Sequence, residues 1–154
     1  MAKDDERQVV AVARKRRMGV QAALTDLERA VAAGSAQREA EWAEGVTSAL
    51  TRLQEAFRHH IEDTESSDGL FADVVEQAPR LAHQVGQLRA DHPAIEQAIQ
   101  QALELVAEPK RVDAARISAA GEAALELMSS ITRHRHLGAS LVYEAYNVDI
   151  EASD

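Results

Sequence analysis

The sequence predicts an all-α protein: an antiparallel up-down-up-down four-helix bundle, with a short extra helix between the second and third long ones. Three observations carry that expectation. Apolar residues recur at steps of three and four through four long segments. Short breaks at Gly34, Gly69, Pro79 and Pro109 separate them. The chain is rich in Ala, Leu, Glu and Arg, which favour helix, and only 3% of it is aromatic, which disfavours sheet.

Each element follows in order. The first helix is expected to begin near Asp4-Asp5-Glu6, acidic residues that suit a helix N-terminus, with its apolar stripe at Val20, Leu24, Leu27 and Val31. Ala33-Gly34-Ser35 ends it, Gly34 being suited to a left-handed cap and Ser35 to capping the next helix. That second helix runs to about Glu65, with Trp42, Val46, Ala49, Leu53, Phe57, His60 and Thr64 on one face. Ser66-Ser67-Asp68-Gly69 has turn chemistry, and a short helix over Leu70 to Gln77 stops before Pro79. The third long segment places Leu81, Val85, Leu88, His92, Ile95, Ile99, Leu103 and Val106 on its stripe. Pro93 falls inside it, so either Asp91 caps a fresh start or the helix kinks. The last helix spans about Val112 to Asn147, with a seam through Ile117, Ala120, Ala124, Leu127, Ile131, His134, Gly138, Leu141 and Ala145.

Composition narrows the function. With no cysteine, the chain offers no disulfide, thiolate metal site, iron–sulfur cluster or cysteine nucleophile. Its net charge of −9, from 26 acidic against 17 basic residues, weighs against nucleic acid as a partner. No apolar stretch approaches the roughly 20 residues that span a bilayer, and Met1 to Arg17 lacks an apolar secretory core. The expectation is a single cytoplasmic domain over residues 1–154, with no membrane partner and with residues 1–17 as a candidate basic extension. Arg14-Lys15-Arg16-Arg17 reads as a solvated face, since nothing aromatic is interleaved. Trp42, Tyr143 and Tyr146 read as packing residues, the tyrosines also as candidate hydrogen-bond donors near a metal. No nucleophile–base pair and no glycine-rich phosphate loop is visible, so an enzyme is not the first reading.

Histidine carries the chemistry. Three of the six histidines, His60, His92 and His134, occupy apolar-stripe positions on three different helices. At about 1.5 Å per residue, His60 and His134 reach heights that agree within about one turn, and His92 falls near the same layer. Imidazole is the commonest metal ligand, and facing helices of a bundle are a place to build such a site. A carboxylate would complete it, and Glu65, five residues past His60, is the candidate.

Three segments carry a family resemblance. His59-His60-Ile61-Glu62-Asp63-Thr64-Glu65 with Asp68-Gly69-Leu70 resembles the second-helix motif of hemerythrin-like (HHE cation-binding) proteins. Leu88-Arg89-Ala90-Asp91-His92 is similar to their third-helix element, and the stretch from Arg133-His134-Arg135-His136 to Tyr146 resembles the end of a bacterial branch. The resemblance implies a four-helix bundle with a non-haem di-iron centre of five histidines and two bridging carboxylates. It also implies a role in oxygen binding, oxygen or redox sensing, or iron handling. Carried over, His60 and Glu65 are the second-helix ligands, His92 the third-helix ligand, and His134 or His136 the fourth. The chain departs from that pattern. Its first helix has no histidine, His83 lies off the stripe, and no carboxylate stands four or five residues beyond His134 or His136.

Two readings follow. The first is a hemerythrin-like protein that binds iron or another divalent metal, as a mononuclear or substituted site at His60, Glu65, His92 and His134, and meets O2 or another small diatomic. The second is a metal-free helical bundle serving as a structural or self-assembly module. Small alanine seams suit a homo-oligomer or a protein partner in either case.

Overall fold

A computed structural model describes the backbone of residues 2–152, and side-chain surroundings for residues 3–5, 7–8 and 19–146. It is all-helical: α1 Ala2–Ala32, α2 Glu39–Glu65, α3 Leu70–Gln77, α4 Ala82–Leu105 and α5 Ala114–Ala152. Single 3-10 turns, Pro79–Leu81 and Pro109–Arg111, precede α4 and α5, and no strand occurs among the described residues. None of the helices is long and apolar enough, among the described residues, to cross a membrane. The Arg14–Arg17 side chains lie outside the described set.

Local chemistry explains most boundaries. Asp4 and Asp5 sit in the first turn of α1, and Glu39 and Glu41 in that of α2, where carboxylates meet the positive helix end. The link between α1 and α2 differs from its expectation. Gly34 does not take a left-handed conformation; Gln37 does, at φ 61°. Nor does Ser35 cap α2. That place falls to Arg38, which makes no side-chain cap but pairs with Glu41 at 2.6 Å. The turn after α2 does need its glycine, because a Cβ on Gly69 would stand 2.6 Å from the Asp63 carbonyl oxygen. α4 runs unbroken through Pro93, so Asp91 caps no new helix. Pro93 has no N–H for the Arg89 carbonyl, a loss the rest of the helix absorbs.

Contacts near both ends of each neighbouring pair fix how the long helices lie. Trp42 Nε1 donates to the Val31 carbonyl at 3.2 Å, while Val20 lies beside Phe57 and His60. Thr47 Oγ1 donates to the Val106 carbonyl at 3.4 Å, while Glu65 meets His92 at 2.9 Å. Arg116 donates to the Leu105 carbonyl at 3.5 Å, and Asp91 meets His134 at 2.9 Å. In every pair residue numbers rise along one helix as they fall along the other. Arg135 also donates to Gln21, tying α5 to α1.

Among the described residues the interior holds two apolar cores. The larger joins Leu24 and Leu27 of α1, Leu50, Leu53 and Phe57 of α2, Ile95 and Ile99 of α4, and Leu127 and Ile131 of α5. Each such side chain, fully buried, contributes about 1.5–3 kcal/mol. The smaller gathers Phe71 and Val74 of α3 with Leu81, Val85, Leu88, Leu141 and Ala145. On α4, His92 separates Leu88 of the smaller core from Ile95 of the larger; on α5, His134 separates Ile131 from Leu141. The imidazoles therefore mark the junction between the cores.

Candidate metal centre

His92 and His134 are 1% and 3% exposed, and His60 is half-buried. The Nε2 atoms of His60 and His134 stand 3.2 Å apart, as do those of His92 and His134. One ligand nitrogen from each of the three rings lies within 4.8 Å of the other two. Nitrogens held about 2.0–2.1 Å from one ion stand about 3.0 Å apart at right angles and about 3.4 Å apart at tetrahedral angles. The observed 3.2 Å falls between those limits.

Carboxylates stand behind two of the rings. Glu65 Oε2 lies 2.9 Å from Nδ1 of His92, and Asp91 Oδ2 lies 2.9 Å from Nδ1 of His134. An ionised carboxylate only accepts, so each Nδ1–H donates to it, and in the neutral ring Nε2 is left with a lone pair. With both rings neutral, the Nε2 atoms of His92 and His134 would present lone pairs to each other at 3.2 Å. Burial, the largest influence on His92, pulls its pKa below 6.5, which disfavours a second proton on that ring. The Glu65 hydrogen bond opposes that shift and the nearby His134 adds to it. A metal cation satisfies both lone pairs without a proton.

The surroundings hold the rings in place. The Phe57 ring lies 5.5, 5.6 and 6.1 Å from those of His60, His92 and His134. From α3, Phe71 stacks on His92 at 5.7 Å, and Arg89 lies over Phe71 while reaching Glu65 at 3.5 Å. Thr64 turns its hydroxyl back onto the His60 carbonyl at 2.9 Å, which satisfies a buried polar group inside α2. A cavity of about 10 Å³ touches His60 and His134, walled by Val20, Phe57 and Arg135. It has room for one water-sized molecule.

Of the four residues expected from sequence, three converge through their rings. The fourth, Glu65, lies against His92 Nδ1, on the opposite side of the ring from the Nε2 cluster. Asp91 was not expected in the site, because Pro93 two residues on gives it the look of a helix cap. Its place immediately before His92 on the α4–α5 side was the available signal. His59, His83 and His136 are exposed and outside the cluster. Tyr143, expected to pack, is 66% exposed. Tyr146 packs on the smaller core and donates to Asp73.

No family model, curated protein or solved structure matches the chain.

Proposed function

We propose that the protein is a hemerythrin-like metal-binding bundle that holds one divalent ion, iron in the first instance, on the Nε2 atoms of His60, His92 and His134. The single observation that carries this reading is the convergence of the three Nε2 atoms, with successive separations of 3.2 Å, while a carboxylate holds Nδ1 of His92 and another that of His134. The opposed numbering of the contacting helices supports α1, α2, α4 and α5 as the up-down-up-down bundle. The donor set fits one ion and does not fit a di-iron cage. Glu65 and Asp91 are engaged on the outer ring nitrogens, and the cluster among the described residues contains three histidines.

When bound, such an ion supplies Lewis acidity, redox capacity and vacant positions for a small ligand. The chain's own residues do the rest. Glu65 and Asp91 set the tautomers and increase the basicity of the rings. Their negative charges favour a cation on the rings, with Arg89 offsetting part of the charge of Glu65. Phe57 and Phe71 keep the rings apart from bulk water. A vacant position on the ion would meet O2 or another small diatomic, and the proposed role is oxygen, redox or metal sensing.

Metal analysis of untagged protein, with an absorbance spectrum in air, tests this. The expected result is near-stoichiometric metal that is lost in His92→Ala. Metal-free protein whose melting temperature ignores added Fe²⁺ and Zn²⁺ would leave the second reading, a bundle acting through its surface, in its place.

A further inference from the structure

Along the outer seam of α4 and α5 lies an open groove of about 540 Å³, within the range of small-molecule sites. Leu88 and Leu141, each 4% exposed, form its floor. Asp91 and Arg133 stand at the end beside the imidazole layer, and Glu144 lines it ten residues beyond His134. That spacing is on the order of 15 Å along a helix. Gln87 and Ser140 lie between.

Asp91 belongs to this groove and to the metal centre at once. Its Oδ2 accepts from Nδ1 of His134 at 2.9 Å, while 44% of its side chain is open to solvent. An accessible carboxylate therefore orients a ring that is itself 3% exposed. Glu65, its counterpart on His92, is 29% exposed and already engaged by Arg89 at 3.5 Å. Of the two outer carboxylates, Asp91 is the one a ligand can reach.

We propose that the groove binds an extended organic diammonium ion, one end on Asp91 and the other on Glu144, and that this ligand regulates the metal centre through Asp91. The apolar floor suits a methylene chain, and a carboxylate stands toward each end of it, with Arg133 lining the Asp91 end and Arg80 donating to the Glu144 carbonyl at 3.3 Å. Arg133 competes for the Asp91 end, which keeps the binding weak. An ammonium on Asp91 draws charge away from the oxygen that His134 uses, loosening the orientation of that ring. Linkage requires that metal weaken diammonium binding by the same factor. The regulatory half rests on the proposed metal centre; occupation of the groove does not.

Diaminooctane is the probe, with octylamine and octanol as controls, added to the full chain with and without Zn²⁺. Expected are amide NMR shifts confined to residues 84–91 and 133–144, with affinity falling roughly threefold in Glu144→Gln. Saturating diamine lowers Zn²⁺ affinity by roughly three- to tenfold, and Asp91→Asn abolishes that coupling. No groove shifts at millimolar diamine, or equal shifts with octanol, would overturn the proposal. So would groove binding that leaves Zn²⁺ affinity unchanged. If the protein binds no metal, the metal-centre reading fails separately. The coupling is then read from the His134 imidazole nitrogen shifts, which must move with diamine for the proposal to stand.

Discussion

The two apolar cores on either side of the imidazole layer are built differently. The larger draws side chains from all four long helices, with Leu27, Leu53, Ile99 and Ile131 wholly buried. The smaller depends on α3, eight residues long, and on the ends of α4 and α5. Phe57 belongs to the first and touches all three imidazoles, whereas Phe71 belongs to the second and stacks on His92. A polar layer between two cores forgoes hydrophobic burial for directional chemistry. The contrast teaches where stability and function separate: the larger core holds the helices in register, and the smaller closes over the site.

The sharpest way to break that contrast is to truncate each phenylalanine. Phe57→Ala is expected to destabilise by about 3–5 kcal/mol, since the long helices around it can collapse only partly into the cavity. Phe71→Ala should cost less, about 2 kcal/mol, because a short helix can settle into the space. Urea unfolding measures both. Equal losses would show that α3 is as rigid a part of the structure as the long helices.

Next in size are the carboxylates behind the rings. Loss of such an outer hydrogen bond lowers metal affinity by about 10–100-fold, or about 1.4–2.7 kcal/mol. Glu65→Gln should lie at the upper end. It serves the more deeply buried ring and leaves Arg89 beside a neutral amide. Asp91→Asn should lie at the lower end, because water reaches that side chain. Competition against a chromophoric chelator ranks the two. The reverse order would mean that His134, which neighbours both other rings at 3.2 Å, is the dominant ligand.

Much of this was legible in the residue pattern. The short helix appears with the bounds its turn chemistry indicated, Leu70–Gln77. The stripes that place His92 and His134 among apolar neighbours are the buried faces of α4 and α5. Periodicity carries that information because burial on a helix repeats every three or four residues. It says less about single backbone angles, so the left-handed residue turned up at Gln37 instead of Gly34. It also says little about which ring nitrogen a carboxylate meets. Glu65 was expected as a metal ligand; its placement on His92 Nδ1 instead depends on side-chain torsions and on how α2 meets α4. Asp91 was hidden by a local rule, proline two residues on, that the intact α4 overrides.

The smallest expected effect concerns the cost of the polar layer itself. Burial holds the pKa of His92 below 6.5 in the folded protein. In the unfolded chain the same ring protonates as pH falls through that value, so the unfolded state binds more protons and gains stability. The metal-free protein should therefore keep the full His92 contribution above pH 6.5. It loses that contribution progressively as pH falls from there toward the lowered folded pKa. For one proton the slope cannot exceed about 1.4 kcal/mol per pH unit. In His92→Leu the side chain no longer titrates, and an apolar residue joins Leu88 to Ile95 across the junction. Unfolding free energies from urea titrations at pH 7.5 and 5.5 should then differ less in the variant than in the parent, by roughly one kcal/mol or less. An equal loss in both proteins would place the pH sensitivity in another group and remove His92 as the reason the layer is costly.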